Sequence, residues 1–194
     1  MYTEQGRILL RIARASIHAA LGEPTATPPA AEWLSEHGAC FVTLTQHDKL
    51  RGCIGTLEAH RPLMEDVRAN AMAAAFRDPR FTPLSAPELP HTRIEISLLS
   101  QMEPLDFKDE SDLRAQLRPH TDGVVLHYGT QRGTFLPQVW QQLPDARDFL
   151  RELKQKAGLP ADFWAQSIDI YRYTVRKWRE QDSLAEAGTA SSTP

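Results

Sequence analysis

Residues 40–57, Cys40-Phe41-Val42-Thr43-Leu44-Thr45-Gln46-His47-Asp48-Lys49-Leu50-Arg51-Gly52-Cys53-Ile54-Gly55-Thr56-Leu57, read as two strands and a turn. Cys40 to Thr45 is β-branched and aromatic, Gln46 to Lys49 is polar, and Leu50 to Leu57 is the return run. That is the pattern of a β-hairpin. Side chains alternate faces along a strand. Leu50, Gly52, Ile54 and Thr56 then share one face, and Arg51, Cys53 and Gly55 share the other. Leu50 and Ile54 are the natural core contacts, which turns Cys53 toward the side of Arg51.

Two consequences follow for chemistry. A guanidinium beside Cys53 stabilises its thiolate and makes it a candidate nucleophile. Gly55 leaves room beside the sulfur for a ligand or another backbone, and Gly52 offers the same along the strand. Glycine weakens a strand interior unless something needs that room. The competing reading keeps Cys53 as a small buried hydrophobe, with the glycines marking a bulge. Cys40, on the facing strand, reads as a core residue. Its spacing to Cys53 resembles neither a metal knuckle nor a redox pair.

Working outward, residues 3–21 read as an amphipathic helix, ended by Gly22 and Pro24. A proline-bearing loop and a short turn at Trp33-Leu34 lead into the hairpin. Pro62 opens a second helix with Leu63, Val67, Ala71 and Ala74 inward, ending near Asp78-Pro79. Ser85 and Glu88 have the spacing of a capping box. Arg93 to Leu99 alternates as a strand, and Ser111 to Leu117 reads as a short helix. Val124 to Tyr128 and Thr134 to Leu136 flank a glycine-bearing turn, which makes a second hairpin. Asp145 caps a helix reaching Ala157, Gly158 stops it, and Ile168 to Val175 is a last strand. Residues 40–77 and 124–157 both run hairpin, then helix, which suggests an internal duplication. The expected class is α+β, a mainly antiparallel sheet flanked by helices. Residues 183–194 hold one large apolar side chain, Leu184, and are expected to be a disordered tail after a domain spanning 1–182.

Other segments carry weaker signals. Asp78 and Arg80 either pair to fix a turn anchored by Phe81, or Arg80 points into a cleft and binds an anion by its planar fork. Gln138 either hydrogen-bonds a ligand or satisfies a local backbone group. His60 and His127 are candidate bases for Cys53. The stretch from Tyr171 to Arg179 mixes basic and aromatic residues, as nucleic-acid surfaces do.

Composition then excludes classes. The chain has 194 residues, 22 Lys+Arg against 25 Asp+Glu, and a net charge of −3. That balance argues against an electrostatic nucleic-acid binder and favours small molecules or protein partners. Two cysteines make neither a disulfide scaffold nor a four-cysteine zinc site, so a cytoplasmic setting is expected. The seven histidines form no metal motif, and neither metal nor cofactor is expected. Residues 1–5 have no basic start or apolar run of a secretory leader, and no stretch is long and apolar enough for a membrane span. Serine-hydrolase, P-loop and dinucleotide fingerprints are also missing.

Leu50-Arg51-Gly52-Cys53-Ile54-Gly55 does carry a resemblance. With Ala74-Ala75-Phe76-Arg77-Asp78-Pro79-Arg80-Phe81, Ile94-Glu95-Ile96-Ser97-Leu98-Leu99, Gly133-Thr134-Phe135-Leu136-Pro137-Gln138-Val139 and Lys156-Ala157-Gly158-Leu159, the chain resembles the AMMECR domain family, of the AmmeMemoRadiSam system protein A type. The resemblance covers about residues 5–180. It implies a larger and a smaller lobe, a cleft near the cysteine motif, and a setting beside a Memo-type, dioxygenase-like protein and a radical SAM protein. It implies no particular reaction. Two expectations follow. One is a small-molecule-processing enzyme, with Cys53 and Arg51 catalytic and Gly52, Gly55, Asp78, Arg80 and Gln138 binding. The other is a non-catalytic adaptor for the same partners.

Overall fold

His47 and Asp48 both take left-handed backbone angles, φ 48° and 60°. Two such residues in sequence make the tight turn that matches strand twist. They join β1 (Cys40–Gln46) to β2 (Lys49–Gly55) as the expected hairpin, with a two-residue turn where the sequence suggests the four residues Gln46 to Lys49. The computed structural model describes residues 4–25 and 31–180. The expected tail at 183–194, and Pro28 and Pro29 of the loop, lie outside the described residues.

The chain divides into a larger unit, 1–98 with 177–194, and a smaller unit, 99–176. In the larger unit, α1 (Glu4–Ala20) buries Leu9, Leu10, Ile12, Ala13 and Ile17. Next come β1, β2 and α2 (Leu63–Phe76), then a 3₁₀ turn at Ala86–His91, β3 (Thr92–Leu99) and, much later in the chain, β8 (Val175–Arg179). The sheet order is β2-β1-β3-β8, and β1 runs antiparallel to both β2 and β3. The core holds Cys40, Val42, Leu44, Val67, Ala71, Ile94, Ile96 and Trp178. Each fully buried Leu or Ile side chain contributes about 1.5–3 kcal/mol. The capping box at Ser85 and Glu88 forms as expected, with Glu88 Oε2 accepting from the Ser85 N–H at 2.9 Å and its hydroxyl at 2.7 Å.

The smaller unit contains β4 (Glu103–Pro104), α3 (Glu110–Gln116), β5 (Gly123–Tyr128), β6 (Gln131–Phe135), α4 (Ala146–Lys156) and β7 (Asp169–Tyr173). Its sheet order is β4-β7-β5-β6. Its core packs Trp140 flat on Phe149, centroids 3.8 Å apart, with Leu126, Leu150 and Leu153 around them. Asp145 caps α4 by accepting from Arg147 N–H, and Gly158 stops the helix region at φ +82°. The strand expected over Ile168–Val175 ends at Tyr173, and a further strand, β8, starts at Val175 and runs on to Arg179. The two part at Thr174, and β7 and β8 belong to different sheets. The basic, aromatic stretch is split by the same break.

The repeated hairpin-helix order is a repeated topology. Both sheets run second hairpin strand, first hairpin strand, then the strand that follows the helix: β2-β1-β3 and β6-β5-β7. Gly52 faces Leu44, and a Cβ there would meet the Ala74 carbonyl oxygen of α2 at 2.2 Å. Gly133 faces Leu126, and a Cβ there would meet the Leu153 carbonyl oxygen of α4 at 2.9 Å. In each unit a glycine lets the helix backbone rest on the hairpin's second strand.

Candidate functional site

The hairpin register breaks between Leu44 and Thr45. Thr45 faces Leu50 and Leu44 faces Gly52, so Arg51 is an extra residue in β2. A bulge of this kind reverses the alternation beyond it. Leu50, expected in the core, is 44% exposed on the face of Thr43 and Cys53. Arg51 is 9% exposed, and its Nε donates to Glu88 Oε1 at 3.0 Å. Gln46 reaches the same oxygen from the buried-face side of β1. Arg51 is therefore turned away from Cys53, and its expected role beside the thiol is corrected.

The guanidinium at Cys53 belongs instead to Arg80. β2 is an edge strand, and the turn after α2 supplies it with side-chain partners. Cys53 N–H donates to Asp78 Oδ2 at 2.8 Å, and Arg80 Nη2 donates to the Cys53 carbonyl at 3.3 Å. Asp78 and Arg80 are joined through Nε to Oδ1 at 2.9 Å and Nη2 to Oδ2 at 2.7 Å. The pair takes up the edge hydrogen bonds that a neighbouring strand would otherwise find. Asp78 is buried, and Arg80 first, then the backbone N–H groups of Cys53 and Arg80, holds its carboxyl far below the ordinary range. The Asp78 ion pair, with a smaller contribution from Cys53, raises Arg80 above its ordinary value. The turn closes by a Phe81 N–H to Asp78 carbonyl bond at 3.1 Å.

Cys53 itself is half-buried, with Sγ 3.3 Å from Thr43 Oγ1 on the facing strand. Gly55 does not open space beside it. A Cβ at Gly55 would lie 2.3 Å from the Phe41 ring and 2.7 Å from the Cys40 carbonyl oxygen. Gly52 admits the α2 backbone. Of the two occupants expected, a ligand or another backbone, Gly52 takes the backbone, and Gly55 is filled by the Phe41 ring and the Cys40 carbonyl, so neither opens onto a ligand site. Gln138 is exposed on the Pro137–Gln141 turn of the smaller unit, and His127 is on β5 of that unit. His60 is exposed and its Nδ1 lies 3.0 Å from the Glu58 carbonyl. A groove on the outer face of α2, lined by Ala69, Met72 and Phe76, contains none of the expected site residues.

Cys40 is fully buried, and burial, then the Asp66 carboxylate, pushes its thiol well above the ordinary value. It sits in a polar network the sequence reading missed. Asp66 accepts from Cys40 N–H at 2.9 Å, Thr56 hydroxyl at 2.6 Å, Arg61 Nε at 2.9 Å and Asn70 Nδ2 at 2.9 Å. Asp66 and Asn70, four apart on the inward stripe of α2, were the visible signal. Among the described residues no cluster of three or more His, Cys, Asp or Glu is placed to hold a metal ion.

The AMMECR1 family model matches residues 10–178. The chain belongs to the AMMECR1 family. Protein MJ0810 of Methanocaldococcus jannaschii is 36% identical over 188 residues, covering 94% of this AMMECR1 chain and 94% of that protein. A protein of Thermotoga maritima is 38% identical over 159 residues, covering 81% of this chain and 86% of that one. The AMMECR1 fold is also that of the uncharacterized protein PH0010 from Pyrococcus horikoshii. Its crystal structure matches with a TM-score of 0.78 at 31% identity, covering 93% of this chain and 94% of that one. Among the described residues no helix is long and apolar enough to cross a membrane.

Proposed function

We propose that this chain is a binding or accessory module that uses the Cys53 edge of β2 as its recognition surface. Its partners, on the family resemblance, are a Memo-type, dioxygenase-like protein and a radical SAM protein. The carrying observation is the state of the carboxylates around the cysteine motif. Arg80 holds Asp78 far below the ordinary range, and Arg51, with Ser85, lowers Glu88 to about 2. A general base works best with a pKa near the operating pH. Neither carboxylate is suited to take a proton from Cys53, and the hydrogen-bond partner of Sγ is the Thr43 hydroxyl. These groups support a fixed surface better than a proton relay.

One observation favours the catalytic reading. Arg80 Nη2 donates to the Cys53 carbonyl at 3.3 Å, so a cation stands beside the cysteine. In that reading Cys53 is a nucleophile or covalent carrier, and Arg80 binds an acidic group of a small substrate. Co-purification of the full chain with the two partners separates the readings. We expect a complex at micromolar concentration that Arg80→Gln weakens about tenfold. No complex, together with turnover by the isolated chain that Cys53→Ala abolishes, establishes the enzyme instead.

A further inference from the structure

The buried guanidinium of Arg51 is only partly satisfied. Its Nε is taken by Glu88, whereas Nη1 and Nη2 are shielded from solvent and have no hydrogen-bond partner among the described residues. Buried polar groups are nearly always matched, and a charged fork is a strong donor to leave unmatched. The Phe81 ring is close by. Its centroid is 5.9 Å from Arg51 Cζ and 5.5 Å from Arg80 Cζ. The ring offers partial compensation through its negative face. The Phe81 backbone is fixed by the Asp78 turn, but its half-buried side chain turns about its own torsions. Arg80 commits Nε and Nη2 to Asp78 and the Cys53 carbonyl, and its side chain is 54% exposed. One ring thus flanks both an unmatched buried guanidinium and an exposed one.

We infer that Arg51 and Arg80 form a binding site for a small carboxylate, gated by Phe81. The planar edge formed by Nη1 and Nη2 fits a carboxylate with two parallel hydrogen bonds. Rotation of the ring uncovers that edge, and Arg80 lies beside the opening for a second acidic group. Glu88 and Asp78 offset the two cations, so affinity rests on fork geometry and is on the order of millimolar. The inference goes beyond the reading above: it concerns a small carboxylate, and the partner proteins do not enter it.

The test uses malonate on the full chain, at ionic strength held constant with chloride, read by the side-chain nitrogen signals of Arg51 and by calorimetry. In the wild type the Arg51 signals shift saturably. Phe81→Ala removes the closed population and tightens malonate about fivefold or more. Arg51→Lys keeps the charge, lacks the fork and abolishes binding. The inference is overturned if Phe81→Ala binds no tighter than wild type, or if Arg51→Lys binds as well. Should Arg51→Lys fail to fold, the wild-type titration still decides, because an unshifted Arg51 overturns it. Co-purification with the partner proteins is a separate readout, so a failure with malonate leaves the module reading standing, and the reverse also holds.

Discussion

At Glu88 one carboxylate serves two structures. Oε2 closes the capping box with Ser85, and Oε1 receives Arg51 from β2. Arg51 first, then Ser85, lowers its pKa from 4.5 to about 2 in the folded chain. A group depressed on folding contributes stability that is full above its unfolded value and is lost as pH falls through the folded value. The loss therefore runs from pH 4.5 down to about 2. We expect the Tm to fall across that window, and Glu88→Gln to start lower at neutral pH and fall less steeply. Thermal melts along a pH series check this, and a variant that keeps the wild-type slope removes Glu88 as the cause.

At the scale of elements, the two glycines under helix backbones set how closely each helix lies on its hairpin. A Cβ at Gly52 meets the Ala74 oxygen at 2.2 Å, while one at Gly133 finds its nearest atom at 2.9 Å. Backbone cannot swing aside as a side chain does. Gly52→Ala is expected to destabilise by about 3 kcal/mol and Gly133→Ala by about 1 kcal/mol, both read from urea unfolding. Equal effects would mean that the clearance under each helix is not what sets the cost. Much of this architecture was legible because turn and cap chemistry is local: the hairpins, the Ser85 capping box, the Asp145 cap and the Gly158 stop all follow from short-range preferences. The site was less legible. Arg51 inserts one residue into an otherwise regular alternation; the flanking glycines allowed a bulge, but nothing local fixed its position or which side chains it would turn. That single insertion moved Leu50 outward, turned Arg51 to Glu88 and left Cys53 to Arg80. Likewise, the apolar alternation carries on through Thr174 to Val175 while the strand's partner changes, so the break at Thr174 is not visible in the pattern.

At the scale of the whole molecule, the larger unit is closed by a strand from beyond the smaller one. Trp178 on β8 is 8% exposed in the larger unit's core, and a Cβ on Gly6 of α1 would lie 2.3 Å from its ring. Glu180 accepts from Arg14 of α1 and from the Ile94 N–H of β3. Trp178→Ala is expected to cost the larger unit about 3–5 kcal/mol, read as lost hydrogen-exchange protection of α1 and β3 amides. Unchanged protection there would mean β8 is not what completes that core. The discontinuity also has a meaning in time. Chains emerge from the ribosome at about 5–20 residues per second, so β8 follows β3 by roughly 4–15 s. Through that interval the Gly6 side of α1 has no Trp178 to cover it and β3 has no β8 beside it, so both stay open to a chaperone or a wrong partner.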